Sequence, residues 1–176
     1  MTRWIALFRG INVGGNNILP MKALRTLLEE IGCKKVETYI QSGNVIFTHS
    51  LGNSASLSAR IGKAVFDSHD FEPKVLLLTF DEMSEIARMN PFPEAEDNPK
   101  SLHIYFLEKE PISAAIDKLN EIKSDTESFS LIGRAFFMHA PDGIGRSKLA
   151  AKAEKLLGVS ATGRNWRTVT KILELA

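Results

Sequence analysis

The chain has 176 residues, of which 44% are hydrophobic and 24% are charged. This composition is that of an ordinary globular protein, with enough apolar residues for one domain or two small ones. The formal net charge of +1 excludes a global attraction to nucleic acid or to an anionic membrane surface. The one cysteine, Cys33, excludes an internal disulfide, so a reducing compartment is expected and the protein is predicted to be cytoplasmic.

The pattern of apolar residues predicts a β-α-β-β-α-β order over the first half of the chain. Residues 4–8 are continuously apolar, which is typical of a strand buried on both faces. This run is too short for a signal or transmembrane segment, so no membrane partner is expected. The predicted elements are strand 4–8, helix 21–31, strands 36–40 and 45–48, helix 57–65 and strand 75–80.

The same order recurs in the second half. Asp81 is predicted to cap a short linker helix that ends at Ala87, and Ile112 is predicted to face the core at the start of a later helix. The predicted elements are strand 102–107, helix 112–122, strands 127–131 and 135–139, helix 147–157, a short strand 159–162 and an extra helix 165–175. The predicted fold class is therefore α+β, with two tandem ferredoxin-like (βαββαβ) halves, residues 1–80 and 81–176, and an additional C-terminal helix.

Charge is unevenly distributed along the chain. Residues 81–130 hold five Lys or Arg against twelve Asp or Glu, and residues 131–176 hold eight against three. The simplest interpretation is that both are solvated faces. The alternative is that the acidic middle of one copy meets the basic end of another, which makes a homodimer or larger assembly one of the functional hypotheses.

Two polar bends are expected to meet at one edge of the first sheet. The loop after the first strand reads Arg9-Gly10-Ile11-Asn12-Val13-Gly14-Gly15-Asn16-Asn17, and the turn after the second strand reads Gln41-Ser42-Gly43-Asn44. In a ferredoxin-like half the first two strands run parallel, so both bends leave the sheet at the same end. Amide side chains and open glycine backbone at one edge suit a small polar or anionic ligand.

A second polar cluster lies near the C-terminus, where Arg164 and Asn165 precede the last predicted helix. Arg9 or Arg164 would supply the positive charge of the binding site. The candidate ligand-binding residues are Arg9, Asn12, Gly14, Gly15, Asn16, Asn17, Gln41, Ser42, Asn44, Arg164 and Asn165. The competing interpretation is that these Asn and Ser side chains bond loop backbone and only brace the two bends.

Other chemistry is weakly indicated. The glycine loop lacks both common phosphate-binding signatures, and the four histidines are too far apart to form a metal motif. No catalytic triad is readable, so no catalytic residue, metal or cofactor is predicted, and whether the protein is an enzyme stays open. A nucleic-acid-binding module is an alternative, with Tyr39 and Phe47 as stacking residues, but the near-neutral charge argues against it.

Three separated motifs resemble those of the uncharacterised bacterial family called domain of unknown function 1697. The resemblance implies two ferredoxin-like halves and carries no assigned activity. The matching motif residues are Arg9, Gly10, Asn12, Gly14, Gly15, Gln41, Ser42, Gly43, Asn44, Arg164, Asn165 and Trp166.

Overall fold

The computed structural model describes residues 1–176 and divides them into two compact units. The first unit comprises Met1–Glu85 and Lys171–Ala176, and the second comprises Ile86–Thr170. Compared with the predicted boundary after residue 80, the first unit also includes residues 81–85 and the last six residues of the chain. Each unit contains one four-stranded antiparallel sheet with helices, which confirms the α+β class with two ferredoxin-like halves.

The first unit has the predicted order of elements. They are β1 (Thr2–Arg9), α1 (Met21–Glu30), β2 (Lys34–Tyr39), β3 (Asn44–His49), α2 (Ser54–His69) and β4 (Lys74–Thr79). The strand order is β2-β3-β1-β4, and each neighbouring pair is antiparallel. β1 and β2 are therefore parallel to each other, with β3 between them.

The continuous apolar run in β1 is buried on both faces, as its lack of alternation predicts. Trp4 and Phe8 belong to the core that the sheet shares with α1 and α2, while Ile5 and Leu7 on the other face are equally buried. Phe47 of β3 is fully buried in that core. It therefore cannot stack on nucleic-acid bases in the way that the nucleic-acid hypothesis requires.

The second unit repeats this arrangement with strand order β6-β7-β5-β8. Its elements are β5 (Leu102–Leu107), α4 (Ile116–Ile122), β6 (Ser128–Ile132), β7 (Ala135–His139), α5 (Lys148–Leu157) and β8 (Ala161–Asn165). Helix α3 (Phe80–Arg88) and a 3-10 turn (Pro93–Asp97) precede them, and α6 (Trp166–Leu175) follows. No helix of the chain combines the length and the apolar character needed to cross a membrane.

The start of α4 differs from the prediction. Helix α4 begins at Ile116 rather than Ile112, and Ile112 is 95% exposed instead of facing the core. The backbone N–H of Ala115 donates to the carbonyl of Leu156 in α5, at 2.8 Å. This long-range bond fixes the backbone just before the helix, so the apolar spacing of residues 112–116 does not lead to a helical turn there.

The cap of the linker helix also differs from the prediction. Asp81 lies inside the first turn of α3, and Thr79 is the capping residue. The Thr79 hydroxyl accepts from the Glu82 N–H at 3.1 Å, while the Glu82 carboxylate accepts from the Thr79 N–H at 2.7 Å. This reciprocal pair is a capping box, which satisfies two backbone donors at once and so is preferred over a single Asp cap.

Cys33, between α1 and β2, is 3% exposed and packs in the first core. Burial raises the pKa of its thiol from 9.0 to about 11, against a smaller lowering by Arg60. At pH 8 we expect the native thiol to react with a disulfide reagent about a hundredfold more slowly than an unfolded cysteine, because only the thiolate reacts. The contribution of this thiol to stability is complete below pH 9 and is lost as the pH rises towards 11. Thiol titration with and without urea measures the difference, and equal rates would contradict the burial of Cys33.

Candidate functional site

The two polar bends of the first unit meet at one end of its sheet. The backbone N–H of Phe8 donates to the Gly43 carbonyl at 2.8 Å, and the side-chain amide of Asn12 donates to the Gln41 carbonyl at 3.0 Å. These contacts join the loop after β1 to the turn after β2. The parallel arrangement of β1 and β2 brings them together across 29 residues of sequence.

Asn12 holds the loop to itself and to the turn. Besides Gln41, its amide donates to the Leu19 carbonyl at 2.9 Å, and its side-chain oxygen accepts from the Leu19 N–H at 2.8 Å. Its backbone lies in the left-handed region, with φ of 54°, which asparagine tolerates better than most residues. All three side-chain bonds are made to backbone, so Asn12 is a bracing residue in this structure.

The tip of the loop is a small hairpin. The Asn16 N–H donates to the Val13 carbonyl at 3.0 Å, around Gly14 and Gly15 with φ of 58° and 77°. A two-residue hairpin turn of this kind needs positive φ at both central positions, which glycine adopts without strain. Asn17 closes the base of the loop: its carbonyl accepts from the Asn12 N–H at 3.1 Å, and its amide donates to the Gly10 carbonyl at 2.9 Å.

The facing turn is built in the same manner. Asn44 is fully buried, and its amide donates to the Tyr39 carbonyl at 3.0 Å and to the Ser42 hydroxyl at 3.1 Å. Gly43 has φ of 79° and lies where a Cβ atom would come within 2.6 Å of the Phe8 Cβ. Close backbone approach therefore explains the glycine of the Gln-Ser-Gly-Asn motif.

Part of the predicted site stays open to solvent. The exposed members are Gly14, Gly15, Asn16, Asn17, Gln41 and Ser42. Of these, Asn17 and Ser42 use their side chains in hydrogen bonds within the two bends. Cβ atoms built at Gly14 and Gly15 would meet nothing within 4 Å, so a ligand can approach this backbone closely. Arg9 ends β1 opposite Lys74 of β4 and is half-buried.

Two positive charges border the loop in sequence, because Arg9 ends β1 before it and Lys22 follows it in α1. The first acidic residue of the chain is Glu29. Helix α1 starts directly after the loop with no side-chain cap, Lys22 lies in its first turn, and its C-terminal end carries Glu29 and Glu30. Both charge placements oppose the helix dipole, and Lys22 adds its charge to the positive N-terminal end of α1, where no acidic residue offsets it.

A groove begins where the loop passes into α1. It has a volume of about 460 Å³. It is lined by Pro20, Lys22, Ala23, Thr26, Leu27, Glu30 and His69. None of these residues is among the sequence-predicted site residues, because the groove depends on where α2 ends relative to α1. The only local signal was Lys22 at a helix start without a neighbouring acid.

The two remaining predicted residues, Arg164 and Asn165, belong to the second unit and lie in β8. The side-chain oxygen of Asn165 accepts from the Thr168 N–H at 2.9 Å, which caps α6. Burial lowers the pKa of the Arg164 guanidinium to about 10, which still leaves it charged at neutral pH, and it donates to the Gly163 carbonyl at 2.8 Å. Trp166 is 9% exposed, as expected for a core residue.

Comparison with known proteins shows the family of the chain. The family profile described as "Protein of unknown function (DUF1697)" matches residues 1–137. A search of curated proteins found no match. Among solved structures, the chain is similar to the conserved bacterial protein SP0830 from Streptococcus pneumoniae, with 25% identity and a TM-score of 0.69 over 99% of this chain and 98% of that one. This chain therefore belongs to the DUF1697 family of proteins of unknown function.

Proposed function

We propose that the first unit binds a small polar or anionic ligand at the edge formed by the loop 10–20 and the turn 40–43. The observation that supports this most is that some polar residues of the two bends hold the backbone while others face solvent. Asn12, Asn17 and Asn44 bond backbone and hold the two bends in place. The exposed glycine backbone and the side chains of Asn16 and Gln41 are left to face solvent.

The bracing favours binding because it reduces the conformational entropy that the loop loses when a ligand binds. A flexible glycine loop loses conformational freedom when it closes on a ligand, and this loss weakens affinity. Here Asn12 and Asn17 already hold the backbone on both sides of Gly14 and Gly15. Backbone N–H groups in a rigid, open turn are suitable donors to an anion.

The charges around the edge favour an anionic group over a neutral one. Lys22 and the uncapped N-terminus of α1 supply positive potential beside the loop, and Glu30 lies at the other end of the adjoining groove. We expect the anionic group of the ligand near Lys22 and its less polar part against Ala23 and Leu27. Nucleotides, sugar phosphates and organic carboxylates all have this general form.

A thermal-shift screen against those three classes tests the proposal. A ligand present at 100 times its Kd adds about 2.7 kcal/mol to the free energy of unfolding, which is readily detected. For any ligand that stabilises the protein, Lys22→Ala and Gln41→Ala should weaken binding. Both residues lie at the proposed edge, and the hydrogen bonds they make within the protein use their backbone carbonyls and not their side chains.

Lys34→Ala is the matched control. Lys34 starts β2 and therefore lies at the opposite end of the strand from Gln41, so it removes the same charge at a distance from the site. Binding to this variant should equal binding to the original protein. If no compound of the three classes stabilises the protein, or if Lys34→Ala weakens binding as much as Lys22→Ala, the proposed site is wrong.

We also propose that the protein is located in the cytoplasm. It is supported by the single cysteine, which is buried as a free thiol in the first core. A reducing compartment suits such a thiol.

A further inference from the structure

The groove beside α1 carries opposite charges at its two ends. Lys22 lies at the end next to the glycine loop, and Glu30, the last residue of α1, lies at the other end. Glu30 follows Lys22 by eight residues, which corresponds to about 12 Å along the helix axis. Ala23 and Leu27 line the groove between the two charges, and His69 of α2 lines its other side. The groove is therefore charged at its ends and mainly apolar between them.

Neither of these two charged side chains has a partner within the protein. The other two charges of the helix surface, Arg25 and Glu29, pair with each other at 3.0 Å. Lys22 and Glu30 are both exposed and form none of the ion pairs of the first unit. At a separation of about 12 Å their mutual attraction is largely screened at physiological ionic strength. Each charge is therefore available to a ligand.

The dipole of α1 has the same direction as this pair of charges. The N-terminal end of a helix is positive and its C-terminal end is negative. Lys22 adds to the positive end, while Glu30 adds to the negative end. Both placements are unfavourable for the helix by itself. A ligand with an anionic group at the first end and a cationic group at the second would offset both.

We propose that the ligand of this groove is a linear zwitterion, in which a carboxylate or phosphate is joined by a mainly apolar chain to a primary ammonium group. This inference rests on the proposed function, because the anionic group occupies the same position at Lys22. The chain lies against Ala23 and Leu27, and the ammonium group pairs with Glu30. A ligand with anionic groups at both ends would meet Glu30 as a like charge, and a diamine would meet Lys22 in the same way.

ω-Aminooctanoic acid is a suitable probe of this groove. Its extended chain holds the ammonium group about 10 Å from the carboxylate, given carbon–carbon bonds of about 1.5 Å. ω-Hydroxyoctanoic acid is the matched compound, because a neutral hydroxyl replaces the ammonium group. NMR titration of the backbone amides measures the Kd of each compound and shows where it binds. The amino compound should bind about fivefold more tightly, as expected for one exposed ion pair.

Substitutions at the two ends of the groove test the role of each charge. Glu30→Gln keeps the shape of the side chain and removes its charge, so the amino and hydroxy compounds should then bind alike. Lys22→Ala should weaken the binding of both compounds. Glu29→Gln is the matched control, because it removes the same charge from the same helical turn at a residue that pairs with Arg25. It should bind both compounds like the original protein.

The variants are expected to fold. Lys22 and Glu30 are exposed, and each substitution removes a charge that opposes the helix dipole. Thermal unfolding of each variant checks this directly. The midpoints of Lys22→Ala and Glu30→Gln should be no lower than that of the original protein, so a loss of binding reports the lost charge.

A short peptide with free termini has the same chemistry as the amino acid. Extended trialanine spans about 10 Å, at 3.3–3.6 Å for each residue. Its carboxylate would lie at Lys22 and its terminal ammonium group at Glu30. Tighter binding of trialanine than of ω-aminooctanoic acid would identify a peptide as the ligand, and the reverse order would identify an aliphatic amino acid. In either case Glu30→Gln should lower the affinity about fivefold.

The results separate this inference from the proposed function. If both compounds bind through Lys22 but the ammonium group adds no affinity, the ligand is a plain anion and only the zwitterion inference is overturned. The same holds if Glu29→Gln weakens binding as much as Glu30→Gln. If neither compound shifts the amides of the groove while another anion binds at the glycine loop, the zwitterion inference is again wrong and the anion site stands. If no anion binding depends on Lys22, both are wrong.

Discussion

Replacing Gly43 with alanine is expected to lower the free energy of unfolding by about 2–5 kcal/mol, which combines left-handed backbone strain with overpacking. Gly43 has φ of 79°, and an added Cβ would lie 2.6 Å from both the Phe8 Cβ and the Ile11 Cδ1. The Phe8 Cβ is attached to the buried central strand and cannot move aside as a flexible side chain would. Urea unfolding followed by circular dichroism measures the loss.

Gly10→Ala separates the two contributions. Gly10 has a similar φ of 72°, but a Cβ atom there would meet nothing within 4 Å. Only the backbone cost of about 1–2 kcal/mol is expected for this variant. Equal losses for the two variants would mean that the close approach of the turn to β1 does not limit residue 43.

Replacing Asn12 with alanine is expected to cost about 3–5 kcal/mol, since each lost hydrogen bond contributes roughly 1 kcal/mol and the left-handed backbone about 1 more. The three side-chain bonds of Asn12 all go to backbone, and Leu19, one of its partners, is fully buried. The Leu19 N–H would then be left without a partner in the core. The loss should appear in the same urea experiment without any ligand.

Two further variants distinguish bracing from a general effect of the loop. Asn12→Gly removes the same three bonds but relieves the backbone strain, so it should cost less than Asn12→Ala. Asn16 is exposed on the hairpin tip, and Asn16→Ala should change stability by no more than about 0.5 kcal/mol. If Asn16→Ala is as destabilising as Asn12→Ala, the division into bracing and open residues is mistaken.

These outcomes also bear on how a ligand experiment is designed. Asn12→Ala would weaken binding by loosening the loop even if Asn12 never touches a ligand. Gln41 and Lys22 are better probes of contact, because their side chains are not needed to hold either bend.

The N-terminal cap of α3 is specified by the local sequence. Thr79 and Glu82 have the spacing of a capping box, which the sequence displays directly. Asp81 is a good cap in isolation, but the reciprocal bonds of Thr79 and Glu82 place it inside the first turn. By contrast, nothing near Ile112 reveals the bond from Ala115 to Leu156 that delays α4, since the two residues come together only in the folded unit.

By itself, the sequence determined the class of the fold, the order of the strands and the edge at which the two polar bends meet. Apolar periodicity is a local property of the sequence, and the parallel course of the first and second strands follows from the order of the elements. Residues 4–8 are buried on both faces of the sheet, as predicted. Only the tertiary structure decided which asparagines brace the loop and which face solvent. That distinction depends on contacts such as the 3.0 Å hydrogen bond from the Asn12 amide to a carbonyl 29 residues away, and hydrogen bonding is too short-ranged for residue type alone to specify it.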